Sequence, residues 1–127
     1  MKTILLDTSV IIDFLRIKNK TKTLLYALTQ SNYNLSISMI TYCELYSGER
    51  IWKFKKELEE LESLLLNITI LPLHKEIGHK AGEIRAKYGT ELLDAIIAAT
   101  AIESDIELAT FNIKDFQPIK GLKLFKK

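Results

Sequence analysis

The sequence is poor in the residues that announce most kinds of specialised chemistry. Its 127 residues include one cysteine, Cys43, and two histidines, His74 and His79. A single thiol excludes a disulfide framework within the chain, and no Cys/His set supplies the four ligands of a structural zinc site. It also points to a reducing compartment. The histidines stand five apart, which does not place both on one helix face as a zinc pair requires. Cys43 has no histidine near it in sequence to activate it, so it reads as a small core hydrophobe rather than a nucleophile. The 5 glycines form neither a phosphate-binding loop nor a dinucleotide fingerprint.

Long apolar runs are missing as well. Ile4-Leu5-Leu6 is interrupted by Asp7, far short of the roughly 7–15 apolar residues of a secretory signal. The stretch Leu92 to Ile102 contains Asp94 and is too short for the roughly 20 residues that span a bilayer. A soluble, cytoplasmic protein without membrane attachment is expected. Charge of one sign is also scarce: 18 basic against 16 acidic residues leave a net +2. That balance permits nucleic-acid contact without arguing for it. What the chain has is a 47% hydrophobic fraction, enough to exclude disorder and to build a core. Without repeats, low-complexity segments or linkers, residues 1–127 are expected to form a single domain.

Short apolar runs alternate with longer amphipathic ones. Thr3–Leu6, Leu35–Ser38, Ile68–Leu71, Glu107–Thr110 and Leu122–Phe125 read as strands. Helices are predicted over Ser9–Arg16, Thr21–Gln30, from Thr41 to Ser47-Gly48, and over Arg50–Leu66, Lys75–Lys87 and Leu92–Glu103. Gly78 and Gly82, four apart, offer a small-residue face for another helix. Strands separated by helices need crossover connections, so the sheet should be mostly parallel with helices on both faces, an α/β/α sandwich.

Ligand sites in such sheets gather beyond the carboxyl ends of the strands. Asp7 directly follows the first strand, Glu44 lies one turn into the helix after the second, and Asp115 follows the fourth. Each has an ordinary alternative: Asp7 as a helix cap, Thr41 with Glu44 as a capping box, Asn112 with Asp115 at the start of a turn. Asp94 is harder to explain away. It sits in the apolar run Leu92-Leu93-Asp94-Ala95-Ile96-Ile97, where an ionised carboxylate costs several kcal/mol unless it is paired or metal-bound. The first turn of a helix returns only about 0.3–1 kcal/mol. Acids converging on one rim repel one another and call for a cation, and hard oxygens open to water suit Mg²⁺ or Mn²⁺. A metal so held can activate water and orient a phosphodiester, which points to hydrolysis of nucleic acid.

Four segments carry a family resemblance. They are Leu5-Leu6-Asp7-Thr8-Ser9-Val10-Ile11-Ile12-Asp13, Ile40-Thr41-Tyr42-Cys43-Glu44-Leu45, Leu93-Asp94-Ala95-Ile96-Ile97-Ala98-Ala99-Thr100-Ala101 and Leu108-Ala109-Thr110-Phe111-Asn112-Ile113-Lys114-Asp115-Phe116. In order and spacing the chain resembles the PIN-domain family, specifically the VapC-type toxin nucleases of toxin–antitoxin pairs. The resemblance implies an α/β/α sandwich with an acidic site for Mg²⁺ or Mn²⁺ and endoribonuclease activity on RNA such as tRNA or rRNA. It further implies a homodimer silenced by a cognate antitoxin that covers the active-site groove. Asp7, Glu44 and Asp94 match the family's core acids, with Asp7 and Asp94 as metal ligands and Glu44 ligating through water or orienting the attacking water. Many relatives carry an aspartate where this chain has Asn112, and Asp115 stands three residues on. Thr8 and Thr110 are candidate hydroxyl supports.

An acidic nuclease site needs cations to offset its repulsion of phosphate, and Arg16, Lys18 and Arg50 are the candidates for RNA contact. Tyr42, Tyr46 and Trp52 read as packing or interface residues, with base stacking as the alternative. A phosphoacceptor signalling module would want a second acid beside Asp7 and a lysine after the last strand; the chain has Thr8 and Phe111 there. A catalytically inert PIN-like binding module is the remaining alternative, kept open by Asn112.

Overall fold

Short apolar or alternating segments become strands here, and the first three are each followed by helices that cross back over the sheet. The computed structural model describes residues 1–126. In chain order, β1 (Lys2–Leu6) leads to α1 (Thr8–Arg16), a 3₁₀ turn at Lys20–Lys22, α2 (Leu24–Thr29) and β2 (Tyr33–Ser38). Then come α3 (Met39–Leu45), α4 (Glu49–Lys53), α5 (Lys55–Leu65), β3 (Thr69–Leu71), α6 (Lys75–Tyr88), α7 (Leu92–Ser104), β4 (Glu107–Ala109) and α8 (Ile113–Phe116). The sheet order is β3-β2-β1-β4 and every pairing is parallel, with Ile4 opposite Leu35, Leu5 opposite Leu108 and Ile37 opposite Ile70.

Alternation along β1 divides the core. Ile4 and Leu6 pack on one face with Val10, Ile11, Leu25 and Leu61, whereas Leu5 packs on the other with Ile77, Ala81, Ile97 and Phe116. Helices α1, α2 and α5 therefore cover one face and α6, α7 and α8 the other, giving the expected three layers.

Local chemistry moves several predicted boundaries. The helix expected over Thr21–Gln30 is shorter because Thr23 caps α2, its side chain accepting from the Tyr26 N–H. The helix expected over Arg50–Leu66 is two helices, since Phe54 takes extended backbone (φ −117°, ψ 107°) between α4 and α5. The fifth strand reduces to one bridge, Leu124 beside Leu108, reached through a left-handed turn at Gly121 (φ 90°). Gly78 and Gly82 do not meet a helix: a Cβ on either would touch nothing within 4 Å, and α6 packs through Ile77, Ala81 and Ile84. Cys43 is exposed rather than in the core, because Thr41 and Leu45, one turn apart on α3, take the inward face. Among the described residues, no helix is long and apolar enough to cross a membrane.

Phe116 is fully buried in the α6–α7 layer and anchors the segment that carries Asp115. Phe116→Ala is expected to lower unfolding stability by about 3–5 kcal/mol in denaturant titration.

Candidate active site

The strand order creates the site. The chain steps outward from β1 through β2 to β3, then returns to place β4 on the other side of β1. At such a reversal the connections leave in opposite directions and open a crevice beyond the strand ends. Asp7 stands at that point, its N–H donating to the Ala109 carbonyl at 2.9 Å, so the residue after β1 is tied to the last residue of β4.

Asp7 is only 2% exposed. It occupies the cap position of α1, but its side chain makes no capping bond. Instead Oδ2 accepts from two hydroxyls, Ser9 Oγ at 2.7 Å and Thr110 Oγ1 at 2.7 Å. Each hydroxyl is itself oriented by a backbone donor: the Asn112 N–H reaches Thr110 Oγ1 at 2.9 Å, and the Phe111 N–H reaches Ser9 Oγ at 3.3 Å. Both donors therefore fall on one carboxylate oxygen, which leaves Oδ1 for a ligand. Thr110 is the support expected from the sequence. Ser9 went unanticipated, although the Asp-x-Ser spacing suits a local side-chain turn.

Glu44 is held by a different set of hydroxyls. Helix α3 begins at Met39, capped by Ser38, whose Oγ accepts from the Thr41 N–H; the predicted Thr41–Glu44 capping box does not form. Thr41 is fully buried, and its hydroxyl lies 3.0 Å from Thr8 Oγ1 and 3.3 Å from Ser38 Oγ. Thr8 Oγ1 donates to Glu44 Oε1 at 2.8 Å. Since Thr8 has one hydroxyl proton, the chain of donors runs one way: Ser38 to Thr41, Thr41 to Thr8, Thr8 to the carboxylate.

Asp94 has no such anchor. It lies in the first turn of α7, where the Glu91 side chain caps the helix by accepting from the Asp94 N–H at 3.3 Å. Burial pushes the Asp94 carboxyl up to about 6, reinforced by the charges of Asp7, Glu91, Asp115 and Glu44. Acids from four separate stretches of chain thus act on one group. Asp94 and Asp115, with Glu91, Tyr88 and Lys114, line a hollow of about 320 Å³. Asp115 rather than Asn112 faces that hollow, and the Asn112 side chain makes no capping bond.

Among the described residues, none of Asp7, Glu44, Asp94 or Asp115 forms an ion pair with a basic side chain. No three His, Cys, Asp or Glu side chains among them converge closely enough to cage an ion unaided. An open set of hard oxygens still fits Mg²⁺ or Mn²⁺, because Mg²⁺ keeps several waters and uses one or two carboxylates plus substrate phosphates.

None of the expected RNA-contact residues lines the acidic hollow. Arg16 ends α1, about 12 Å along the helix from Thr8, with Lys18 beyond it. Arg50 is held by Glu57 at 2.9 Å and covers the Phe54 ring at 4.8 Å. Tyr42, Tyr46 and Trp52 form an aromatic ladder with centroid separations of 4.9 and 6.0 Å, and Trp52 is 65% exposed.

Residues 4–121 match the PIN domain family model. The chain belongs to the PIN-domain family. It is 35% identical to ribonuclease VapC1 of Rickettsia felis over 95% of this chain and 93% of that protein. It is 29% identical to ribonuclease VapC19 of Mycobacterium tuberculosis over 94% and 96% of the two chains. Among solved structures, a chain of a toxin–antitoxin complex from Klebsiella pneumoniae superposes with a TM-score of 0.76 at 30% identity, covering 94% of each chain.

Two outcomes follow for this PIN domain. Thr110→Val removes one donor to Asp7 without changing shape and should cost about 1.5–3 kcal/mol in denaturant unfolding, whereas Thr110→Ser retains most of it. The folded state keeps the Asp94 proton up to about pH 6, while an unfolded aspartate releases it near 3.8. Stability of the metal-free protein therefore falls as pH rises between those values. Asp94→Asn should raise the melting temperature in EDTA at pH 7 by a few degrees and flatten that fall.

Proposed function

We propose that residues 1–127 act as a single PIN domain that hydrolyses RNA phosphodiester bonds endonucleolytically, with Mg²⁺ or Mn²⁺, as the toxin of a type II toxin–antitoxin pair. The observation that carries this reading is that Asp94, raised first by burial, also feels the charges of Asp7, Asp115 and Glu44 from remote parts of the chain, and among the described residues none of these acids forms an ion pair with a basic side chain. The ribonuclease names of its VapC relatives support the reaction class. The Klebsiella pneumoniae toxin–antitoxin complex supports a cognate antitoxin as partner. A homodimer and a cytoplasmic setting are what family membership leads one to expect.

The division of labour follows from the hydrogen bonds. Asp7 has one oxygen committed to Ser9 and Thr110, which leaves the other, Oδ1, as the first ligand atom. Asp94, unanchored at the start of α7, is the second ligand. When bound, a divalent ion supplies the positive charge that offsets the carboxylates and makes the phosphodiester electrophilic. Glu44, with Oε1 taken by Thr8, orients the attacking water through Oε2. Asp115 completes the acidic set from the far wall of the hollow, which supplies the charge that Asn112 lacks and favours the nuclease over an inert binding module.

The test is cleavage of total RNA with Mg²⁺ or Mn²⁺, beside Asp7→Asn. The variant should lose at least about 100-fold in rate and show no calorimetric heat with Mn²⁺. Equal cleavage by both proteins would remove the proposed site.

A further inference from the structure

Beside the acidic hollow lies a second one of about 240 Å³, lined by Lys80, Glu83, Ile84, Lys87, Tyr88 and Lys120. Tyr88 lines both hollows, so the acidic and the basic one are neighbours across a single aromatic ring. That ring is fixed: the Lys120 N–H donates to the Tyr88 hydroxyl at 3.1 Å, and the Lys87 ammonium lies 5.6 Å from the ring centroid. The lysines come from different parts of the chain. Lys87 ends α6, Lys114 is on α8 in the wall of the acidic hollow, and Lys120 follows α8. Lys80 is neutralised by Glu83 at 3.0 Å, whereas Lys87, Lys114 and Lys120 make no ion pair among the described residues.

This arrangement answers a difficulty in the nuclease reading, on which the inference rests. The acids that do the chemistry repel the polyanion they must receive; Arg50 is already engaged by Glu57, and Arg16 lies about 12 Å along α1 from Thr8. A run of free ammonium groups beginning at the edge of the acidic hollow and continuing past a fixed aromatic ring has the make-up of a single-strand track: cations for phosphates, a ring for a base. We propose that single-stranded RNA leaves the acidic site along this side. Its flanking phosphates lie against Lys114, Lys87 and Lys120, and a base rests at Tyr88.

The experiment measures binding of a fluorescein-labelled uridine 12-mer to the full chain by anisotropy, in EDTA so that no cleavage occurs, across a series of NaCl concentrations. Every lysine–phosphate pairing made to a single strand adds about 0.7 to the slope of log affinity against log salt, so Lys87→Gln/Lys120→Gln should lower that slope by about 1.4 and weaken binding several-fold at low salt. Arg16→Gln/Lys18→Gln tests the rival location at the far end of α1. An unchanged slope in the Lys87/Lys120 variant, or a loss that appears only in the Arg16/Lys18 variant, overturns the track. If that happens while Asp7→Asn still abolishes metal-dependent cleavage, the nuclease reading survives without this path. A native chain that neither binds nor cuts RNA overturns both.

Discussion

Electrostatic repulsion within a half-buried rim is the constraint around which the rest of this domain is arranged. Asp7, Glu44, Asp94 and Asp115 come from regions far apart in the chain, and the first, second and fourth each raise the cost of ionising Asp94. Folding moves these groups together because hydrophobic burial on both faces of the sheet requires it. Leu5 and Leu6 cannot be buried in their separate layers without carrying Asp7 to the edge between β1 and β4. The core thus imposes a local electrostatic cost at Asp94, which ties stability to pH in one place.

Within that rim the acids fall into two kinds. Asp7 and Glu44 are oriented by hydroxyls: Ser9 and Thr110 for one, and the Ser38–Thr41–Thr8 series for the other. Hydroxyls suit this task because they stabilise a carboxylate without neutralising it, so the charge remains available to a cation. A lysine or arginine in their place would form a salt bridge and occupy the site. Asp94 and Asp115, by contrast, line an open hollow. Two of the four acids are thus held in direction by hydroxyls, and two face open space.

Fold class was readable from pattern alone, because the strands are short apolar or alternating runs and their crossovers are amphipathic. The errors came where one side chain outweighed periodicity. Thr23 and Ser38 set helix starts by capping, and Phe54 broke a continuous apolar stripe into two helices. The last apolar run, entered through the turn at Gly121, makes only a single bridge to β4. For the site, Asp7, Glu44 and Asp94 could be picked out by position and apolar context, and Thr8 and Thr110 by their neighbours. Ser9 escaped notice because a serine beside a conspicuous acid has many ordinary uses.

Which residues could do chemistry was therefore set by residue type and spacing along the chain, since carboxylates at strand ends have few equivalents and an aspartate in an apolar helix demands a partner. Which of them face one another was decided only in three dimensions. The placement of Asp115 rather than Asn112 in the hollow's wall, the shared oxygen that joins Ser9 to Thr110, and the gathering of Lys87 and Lys120 around Tyr88 all depend on how the helices pack against the sheet. Charge and hydrogen bonding act over a few ångströms, and distances of that size between remote segments exist only after the core has closed.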